Sequence, residues 1–407
     1  GPFLFFGNFD VESRSRVLCI SAEESVPVSF QWDKNGYLYP TQIAQYGLSH
    51  WSKSLRMSGP PNRTVYESGL PGATANWDGD TLRVDNLKCI HFDSDISLKL
   101  SSTKKILFFD LWPSENVTIS LSILMNKTQR VHLVYTPGKG HTVIFTYSEE
   151  RSKMRFTRNI HNDLLKGGVI TQSKLKRALP FIERIKFSGV GCLSNLTLSN
   201  EEHYQMFLSA ADWFLRNQDR NGAGMVFGMA QGHALSVLSR AYVSSGDPKY
   251  LEAASKALPL FSLPSSKGGF KAVFLDSYVW YEEYPTNPPS FVLNGFMYSL
   301  LGLYDISTLV AGEDDITSSE ARGLYEDGLS SLLDMMYLFD VGYRSVYDLR
   351  HFSMKSPPKL ARWDYHSTHI NLLYALSSVQ NGSSQGQMIE IAERWTNYML
   401  GDYSEHN

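Results

Sequence analysis

The spacing of apolar residues changes once along this chain, and that change constrains the fold more than any other feature. Between about residues 60 and 198, β-branched and aromatic residues alternate with polar ones in KKILFFDLW, VTISLSILM, RVHLVYT and TVIFTYS, with Pro, Gly and Asn turns between them. A period of two gives each strand one apolar face, so an antiparallel sandwich or barrel is expected here. After Asn200 the period lengthens. Met206, Phe207, Ala210, Ala211, Phe214 and Leu215 recur at three-to-four spacing, as do Ala230, Ala234, Val237, Leu238 and Ala241. That spacing predicts helices, at roughly 203–217, 229–245, 248–260, 289–308, 318–338, 365–379 and 386–400. Several are rich in small residues and apolar on broad faces, which suits helices layered around an axis as an α/α toroid.

Residues before the alternating stretch are mixed. Val17-Leu18-Cys19-Ile20 and Val28–Trp32 read as strands, Gly36–Pro40 as a turn, and QIAQYGLSHW as a short helix. The fold class expected is therefore α+β in three parts: an N-terminal lobe over 1–58, a β-sandwich over 59–199 and a helical domain over 200–407. At 407 residues the chain exceeds one ordinary core, which agrees with such a division.

Charge narrows the partners. Charged residues make up 19% and the net charge is −3, so no global basic field draws the chain to nucleic acid, and any anion must be gripped locally. No apolar run reaches the eighteen or so residues of a membrane-spanning helix, and no signal peptide is evident, so a soluble piece is expected. Cys19, Cys89 and Cys192 allow at most one disulfide and one free thiol, too few for a disulfide framework or a zinc site. Five N-x-[ST] sequons, at Asn62, Asn116, Asn126, Asn195 and Asn381, lean towards the secretory pathway.

Three stretches in the helical half carry the chemistry: WYEEYPTNPPSFVLNG at 280–295, VYDLRH at 346–351 and KLARWDYHSTH at 359–369. Each falls between helices or just before one, where loops on a rigid scaffold assemble sites from distant sequence. An adjacent Glu282-Glu283 pair is ordinarily surface charge, and as a glycosidase pair the two would rarely face each other across a bond. His366 and His369, three residues apart, fit helix-start packing better than metal ligation, and no G-x-S-x-G elbow is present.

The segments YPTQIAQYGLSHWSK, WYEEYPTNPPSFVLNGFMYSLLGLYD, YDLRHF and LARWDYHSTHIN closely resemble the animal D-glucuronyl C5-epimerases that act on heparan sulfate and heparin. The similarity runs from about residue 7 to the terminal EHN, loosely over the sandwich. It implies an N-terminal β-hairpin, a β-sandwich, an α/α toroid, a homodimer and a Golgi-lumen type II membrane enzyme whose anchor lies outside these residues. It implies no organic cofactor. By position the family's catalytic group falls on Glu283, Tyr284, Tyr347 and Tyr365, and all four residue types are present.

The implied substrate is an internal D-glucuronate of N-sulfated heparosan, inverted at C5 to L-iduronate with the chain intact. A hydrogen α to a carboxylate is weakly acidic, so charge on the enolate-like intermediate must be met by fixed donors, and acid–base groups must flank the ring. Tyrosine is a poor base at its reference pKa of about 10 unless a cation or donor favours phenolate, and a good donor once neutral. Glu283 and Tyr347 or Tyr365 are expected on opposite faces, with Tyr284 binding or relaying.

Arg350 and Arg362 present guanidinium forks suited to a carboxylate or N-sulfate. The resemblance adds Asn294, Tyr298, Lys359, Trp363, Asp364, His366, Ser367 and Thr368 around the sugar, although Trp363 reads equally well as core. From the N-terminal lobe it adds Arg14, Arg16, Gln31, Tyr39 and Gln42. It also implies a structural Ca2+ held by Glu67, Asp85, the Gly69 carbonyl and Ser194, oxygen ligands as a hard cation requires. The pattern departs from the family at Ser194, where an aspartate is expected, and at Asp85, where threonine can stand. After RNQDRNG only AGMVFG precedes MAQG, where relatives carry a longer loop. Rival readings are a uronate polysaccharide lyase, a non-catalytic heparan-binding module and a glycosidase. Local charge on a mildly acidic chain makes affinity for a sulfated polymer fall as salt rises, which a binding titration at two ionic strengths checks.

Overall fold

The computed structural model describes residues 5–21, 24–66, 77–78, 83–84, 89–136, 154–178, 180–218, 228–312 and 314–404. The chain divides into two compact units, Phe6–Ala210 and, apart from the first five residues, Ala211–Asn407.

The first unit opens with strands β1 (Val17–Ile20), β2 (Pro27–Ser29) and β3 (Tyr37–Leu38), which form a three-stranded antiparallel sheet. Helix α1 (Pro40–Ser54) follows, with Pro40 at its first turn, where a missing N–H costs nothing. Two expectations are corrected here. Tyr37–Leu38 pairs as a strand instead of turning, and the second strand stops at Ser29, leaving Phe30 and Trp32 exposed.

Strands β4 (Arg63–Val65), β5 (Trp77–Asp78), β6 (Arg83–Val84), β7 (Ile90–Phe92), β8 (Ile96–Ser102), β9 (Ile106–Pro113), β10 (Thr118–Met125), β11 (Gln129–Tyr135) and β12 (Met154–Asn159) follow. Helices α2 (Ile160–Lys166) and α3 (Gln172–Ala178) then precede β13 (Phe181–Ser188) and β14 (Gly191–Ser199). The sheets run β11-β10-β13-β8-β5 and β12-β9-β14-β7-β6, with β4 on β14, and every described pairing is antiparallel. Both sheets contribute to one core, with Ile119, Leu121 and Ile123 of β10 beside Leu107, Phe109 and Leu111 of β9. The alternation in β10 is complete: Ile119, Leu121, Ile123 and Met125 are buried while Thr118, Ser120, Ser122 and Leu124 are half-buried. Strand β9 is buried on both faces, because Arg155 covers Phe108 at 4.7 Å from the ring centroid. Helices α2 and α3 were not expected from the alternating pattern, and the TVIFTYS stretch lies outside the described residues. Cys89 and Cys192 form a disulfide between the approach to β7 and β14, and Cys19 is buried and not disulfide-bonded.

Helix α4 (His203–Gln218) begins the helical part of the chain. The second unit continues with α5 (Gly228–Ser245), α6 (Pro248–Ala257), α7 (Pro259–Ser262), a hairpin of β15 (Lys271–Phe274) and β16 (Tyr278–Tyr281), α8 (Leu293–Leu309), α9 (Asp315–Met335), α10 (Arg350–Met354), α11 (Trp363–Ser377) and α12 (Gly382–Leu400). All seven helices expected from periodicity are present, with shifted ends: α8 starts at Leu293, α12 at Gly382, and Pro259 splits the third. The β15–β16 hairpin was not foreseen.

Helix α8 is buried almost all round and packs against α5 with no clearance. A Cβ on Gly232 would stand 2.5 Å from the Tyr298 carbonyl oxygen and 2.6 Å from Ser299 Cα. Beside this crossing the Arg240 guanidinium pairs with Asp305, which also accepts from the Ser236 hydroxyl at 2.6 Å. Both charges are buried, so each depends on the other for solvation. Gly232→Ala should therefore destabilise the protein by roughly 1–3 kcal/mol, since backbone cannot move aside as a side chain would. Thermal melting of the variant against wild type checks this.

Candidate active site

The site starts where β16 ends. Glu282 and Glu283 follow Tyr281, and both carboxylates are buried, at 0% and 3% exposure. Glu282 Oε2 accepts from the Ser290 amide at 2.9 Å and its hydroxyl at 2.7 Å, and Oε1 accepts from the Phe291 amide at 2.8 Å. Three donors satisfy it and tie the proline-rich loop back to the strand, which is why α8 starts later than periodicity alone predicts. The surface-charge reading of the Glu pair is thereby corrected, and the two carboxylates serve different ends.

Glu283 lies on the first turn of α8. Gly295 leaves room for it, since a Cβ there would stand 2.5 Å from Glu283 Cβ and Oε2. Asn294 Nδ2 donates to Glu283 Oε2 at 3.4 Å. Burial chiefly raises the Glu283 carboxyl to about 7, with Glu282 adding to the rise, while a Tyr284 hydrogen bond, Lys359 and Asn294 oppose it. A carboxyl in that position can hold or release a proton near neutral pH.

Three backbone bonds bring the other two stretches alongside. The Leu293 amide donates to the Tyr347 carbonyl at 3.2 Å, the Tyr347 amide to the Lys359 carbonyl at 2.7 Å, and the Leu349 amide to the Ser290 carbonyl at 3.2 Å. Tyr347 then packs with Val292 and Ala361, and Tyr284 and Tyr365 lie against this cluster. The Tyr347 and Tyr365 rings meet edge to face at 4.9 Å. Lys359 Nζ is 4.3 Å from the Tyr347 ring centroid, and the Arg362 guanidinium is 5.4 Å from that of Tyr365. Burial, then Glu283, Tyr365 and Asp348, push the Tyr347 phenol well above its ordinary range, against a Tyr284 hydrogen bond. Tyr347 is thus a neutral phenol that can donate. The four residues singled out as catalytic share one place.

The remaining expected binders divide. Asn294 and Tyr298 are buried one turn apart on α8, and Tyr298 meets the His233 ring at 4.3 Å. Arg350 is half-buried and Lys359 exposed. Arg362 and Asp364 are exposed and paired at 2.8 Å. Trp363 is 47% exposed beneath the Arg344 guanidinium, 3.7 Å from the ring centroid, which corrects the core alternative. Ser367 is half-buried, and the Thr368 hydroxyl donates to the Asp364 carbonyl at 2.8 Å. His366 is fully buried with both ring nitrogens engaged: Nε2 on the Trp395 carbonyl at 3.0 Å, Nδ1 on Ser345 Oγ at 2.8 Å. Ser345 Oγ also meets His369 Nδ1 at 2.8 Å, so both imidazoles brace the start of α11. His366 is therefore turned away from any ligand, a correction to its expected contact with the sugar.

In the first unit, Arg14 bonds Gln45 at 3.1 Å and lies 5.0 Å from the Phe9 ring centroid, and Arg16 donates to Gln31 at 3.0 Å. Tyr39 is half-buried and Gln42 buried on α1 or at its start. Of the expected calcium ligands, Glu67, Gly69 and Asp85 lie outside the described residues, as does the short run after Asn221. Ser194 is buried on β14 opposite Asp110, whose carboxylate already takes Arg155 at 2.9 Å and Asn195 at 2.7 Å. Asp348 and Gly295 were missed by the sequence reading, although both stand inside the quoted motifs.

The family model for the D-glucuronyl C5-epimerase C-terminus matches residues 203–397. The D-glucuronyl C5-epimerase of Caenorhabditis elegans is 31% identical over 493 aligned residues, covering 100% of this chain and 79% of that one. This chain belongs to the D-glucuronyl C5-epimerase family. As a glucuronyl C5-epimerase homologue it is a carbohydrate isomerase. An uncharacterized protein of Methanocaldococcus jannaschii is 33% identical over 148 residues, 34% of this chain and 46% of that one. Among solved structures, a polysaccharide lyase has a TM-score of 0.36 at 13% identity, over 49% of this chain and 55% of that one. A family 29 carbohydrate-binding module has a TM-score of 0.23 at 18% identity, over 36% and 94%. Likenesses that faint bear on neither fold nor chemistry.

The Glu283 proton has a stability consequence. Its folded pKa of about 7 lies above the ordinary 4.5, so the native state keeps a proton that the unfolded chain releases between those values. Stability from this group is complete below pH 4.5 and is lost as pH rises through 7. Glu283→Gln should therefore melt higher than wild type at pH 8 and close to it at pH 4, as thermal unfolding at the two pH values checks.

Proposed function

We propose that this family member inverts C5 of internal D-glucuronate residues in N-sulfated heparosan, giving L-iduronate without cleaving the polymer. One observation carries the reading: a buried carboxyl poised near neutral pH and three tyrosines gather around Val292 and Ala361.

Glu283 or a phenolate takes the C5 proton, and the electron pair moves into the adjoining carboxylate. A phenol hydroxyl on the opposite face then returns a proton to C5, and the electron pair moves back into the new C–H bond. Tyr347 and Tyr365, edge to face, supply phenols at one locus, and Tyr284 bonds to both Glu283 and Tyr347. Lys359, Arg350 and Arg362 supply the positive charge that the intermediate's extra negative charge requires. Trp363, exposed under Arg344, offers a ring face to a sugar. Asn294 orients Glu283, with Tyr298 a turn below.

Further parts of the same reading are that the helices of the second unit close into an α/α toroid and that residues 1–58 form a hairpin lobe. Its Arg14, Arg16, Gln31, Tyr39 and Gln42 bind the polymer. The enzyme works as a homodimer in the Golgi lumen. A structural Ca2+ on the sandwich, held by Glu67, Asp85, the Gly69 carbonyl and Ser194, enters no step.

A lyase abstracts the same hydrogen and then eliminates across the ring, so the products separate the readings. Incubation with N-sulfated heparosan in deuterated water should place deuterium at C5 with no shortening of the chain and no unsaturated, ultraviolet-absorbing end. Elimination products would establish a lyase, and absence of label a binding module. Tyr365→Phe should lower exchange by about a hundredfold or more while binding of the polymer changes little. Exchange at the wild-type rate would remove Tyr365 from the reaction.

A further inference from the structure

Asp348, between Tyr347 and Leu349, is 1% exposed. Its Oδ1 accepts from the Arg350 amide at 3.2 Å. Its Oδ2 has no hydrogen-bond partner among the described residues and faces two cations beyond bonding distance, Lys359 Nζ at 3.7 Å and Arg350 Nε at 3.9 Å. A buried carboxylate needs compensating charge, and these two are what it has. The dependence runs the other way as well. The Lys359 side chain is 60% exposed and that of Arg350 38%, and Asp348 gives both a common anchor beside the Tyr347 ring.

Arg350 also favours the ionised form of Glu282 and Lys359 that of Glu283, but both carboxylates have other main determinants. Glu282 is satisfied by Ser290 and Phe291, and Glu283 is held near neutral protonation by burial. Asp348 Oδ2 lies within 4 Å of both cations, and their exposed ends can meet a second anion, such as the carboxylate of a uronate. We propose that Asp348 is a positioning residue for that carboxylate, holding Lys359 and Arg350 as a shared pair that receives the group next to the reacting carbon. The inference rests on the epimerase reading. It deepens that reading by assigning the site's specificity for a uronate over a neutral hexose to one buried side chain.

The test is Asp348→Asn, which keeps shape and removes charge, read by C5 deuterium exchange on N-sulfated heparosan. With the cations unanchored, kcat should fall by about a hundredfold, the scale of a misplacement of around 1 Å. KM should move far less, because both cations still attract the polymer. The groups facing Tyr347 are Glu283, Tyr365, Tyr284, Lys359 and Asp348. Loss of the Asp348 charge removes one that resists phenol ionisation, so the alkaline limb of the rate profile should move to lower pH. A purely structural carboxylate would show no coupling to Lys359, which the double variant reads. Combined with Lys359→Met, the loss should be less than additive, since both act through one pair. Wild-type kcat in Asp348→Asn, an unmoved alkaline limb or full additivity each overturns the proposal. Should Asp348→Asn fail to fold, Lys359→Met and Arg350→Gln carry the same test, with additivity again overturning it. Wild type run in parallel separates the failures: no exchange there defeats the epimerase reading, whereas exchange there with an unaffected variant defeats this inference alone.

Discussion

The three hydrogen bonds into the Glu282 carboxylate hold the site together. They turn the loop after β16 back on itself, and this return places Glu283 over Gly295 and starts α8 at Leu293. A buried carboxylate without those donors would be a strongly unfavourable charge, so the loop and the acid depend on each other. Once the loop is set, Ser290 receives Leu349 and Tyr347 receives Leu293, and the second tyrosine-bearing segment falls into place.

A tightly packed support and exposed cations divide the labour. Helices α5 and α8 touch backbone to backbone at Gly232, so Asn294 and Tyr298 stand on a support that cannot shift without cost. The imidazoles of His366 and His369 anchor α11 through Ser345, and burial lowers the affinity of both for protons. Both therefore favour the neutral form more than an imidazole in water does. The cations are instead on exposed side chains that an arriving polyanion can meet.

Much of this was legible beforehand. The change of period after Asn200 separated sheet from helix, and the three loaded stretches proved to be the ones that meet around Tyr347. Other features were hidden for physical reasons. Glu282 and Glu283 are identical neighbours in sequence, and only the direction of each side chain separates a loop clasp from an acid–base group. His366 sits in a motif full of site residues, yet helical rotation turns its ring towards Trp395. Asp348 reads as a polar residue in a turn until its burial and its two distant cations are seen.

The sequence by itself determined the kinds of element and the residue types available for chemistry, because side-chain periodicity and composition are local properties of the chain. It also carried the family, through long motifs whose order is preserved. The tertiary structure decided which carboxylates lose their water, which rings share a face and which cations share an anion. Those are matters of burial and distance between segments far apart in the chain, and local spacing does not encode them.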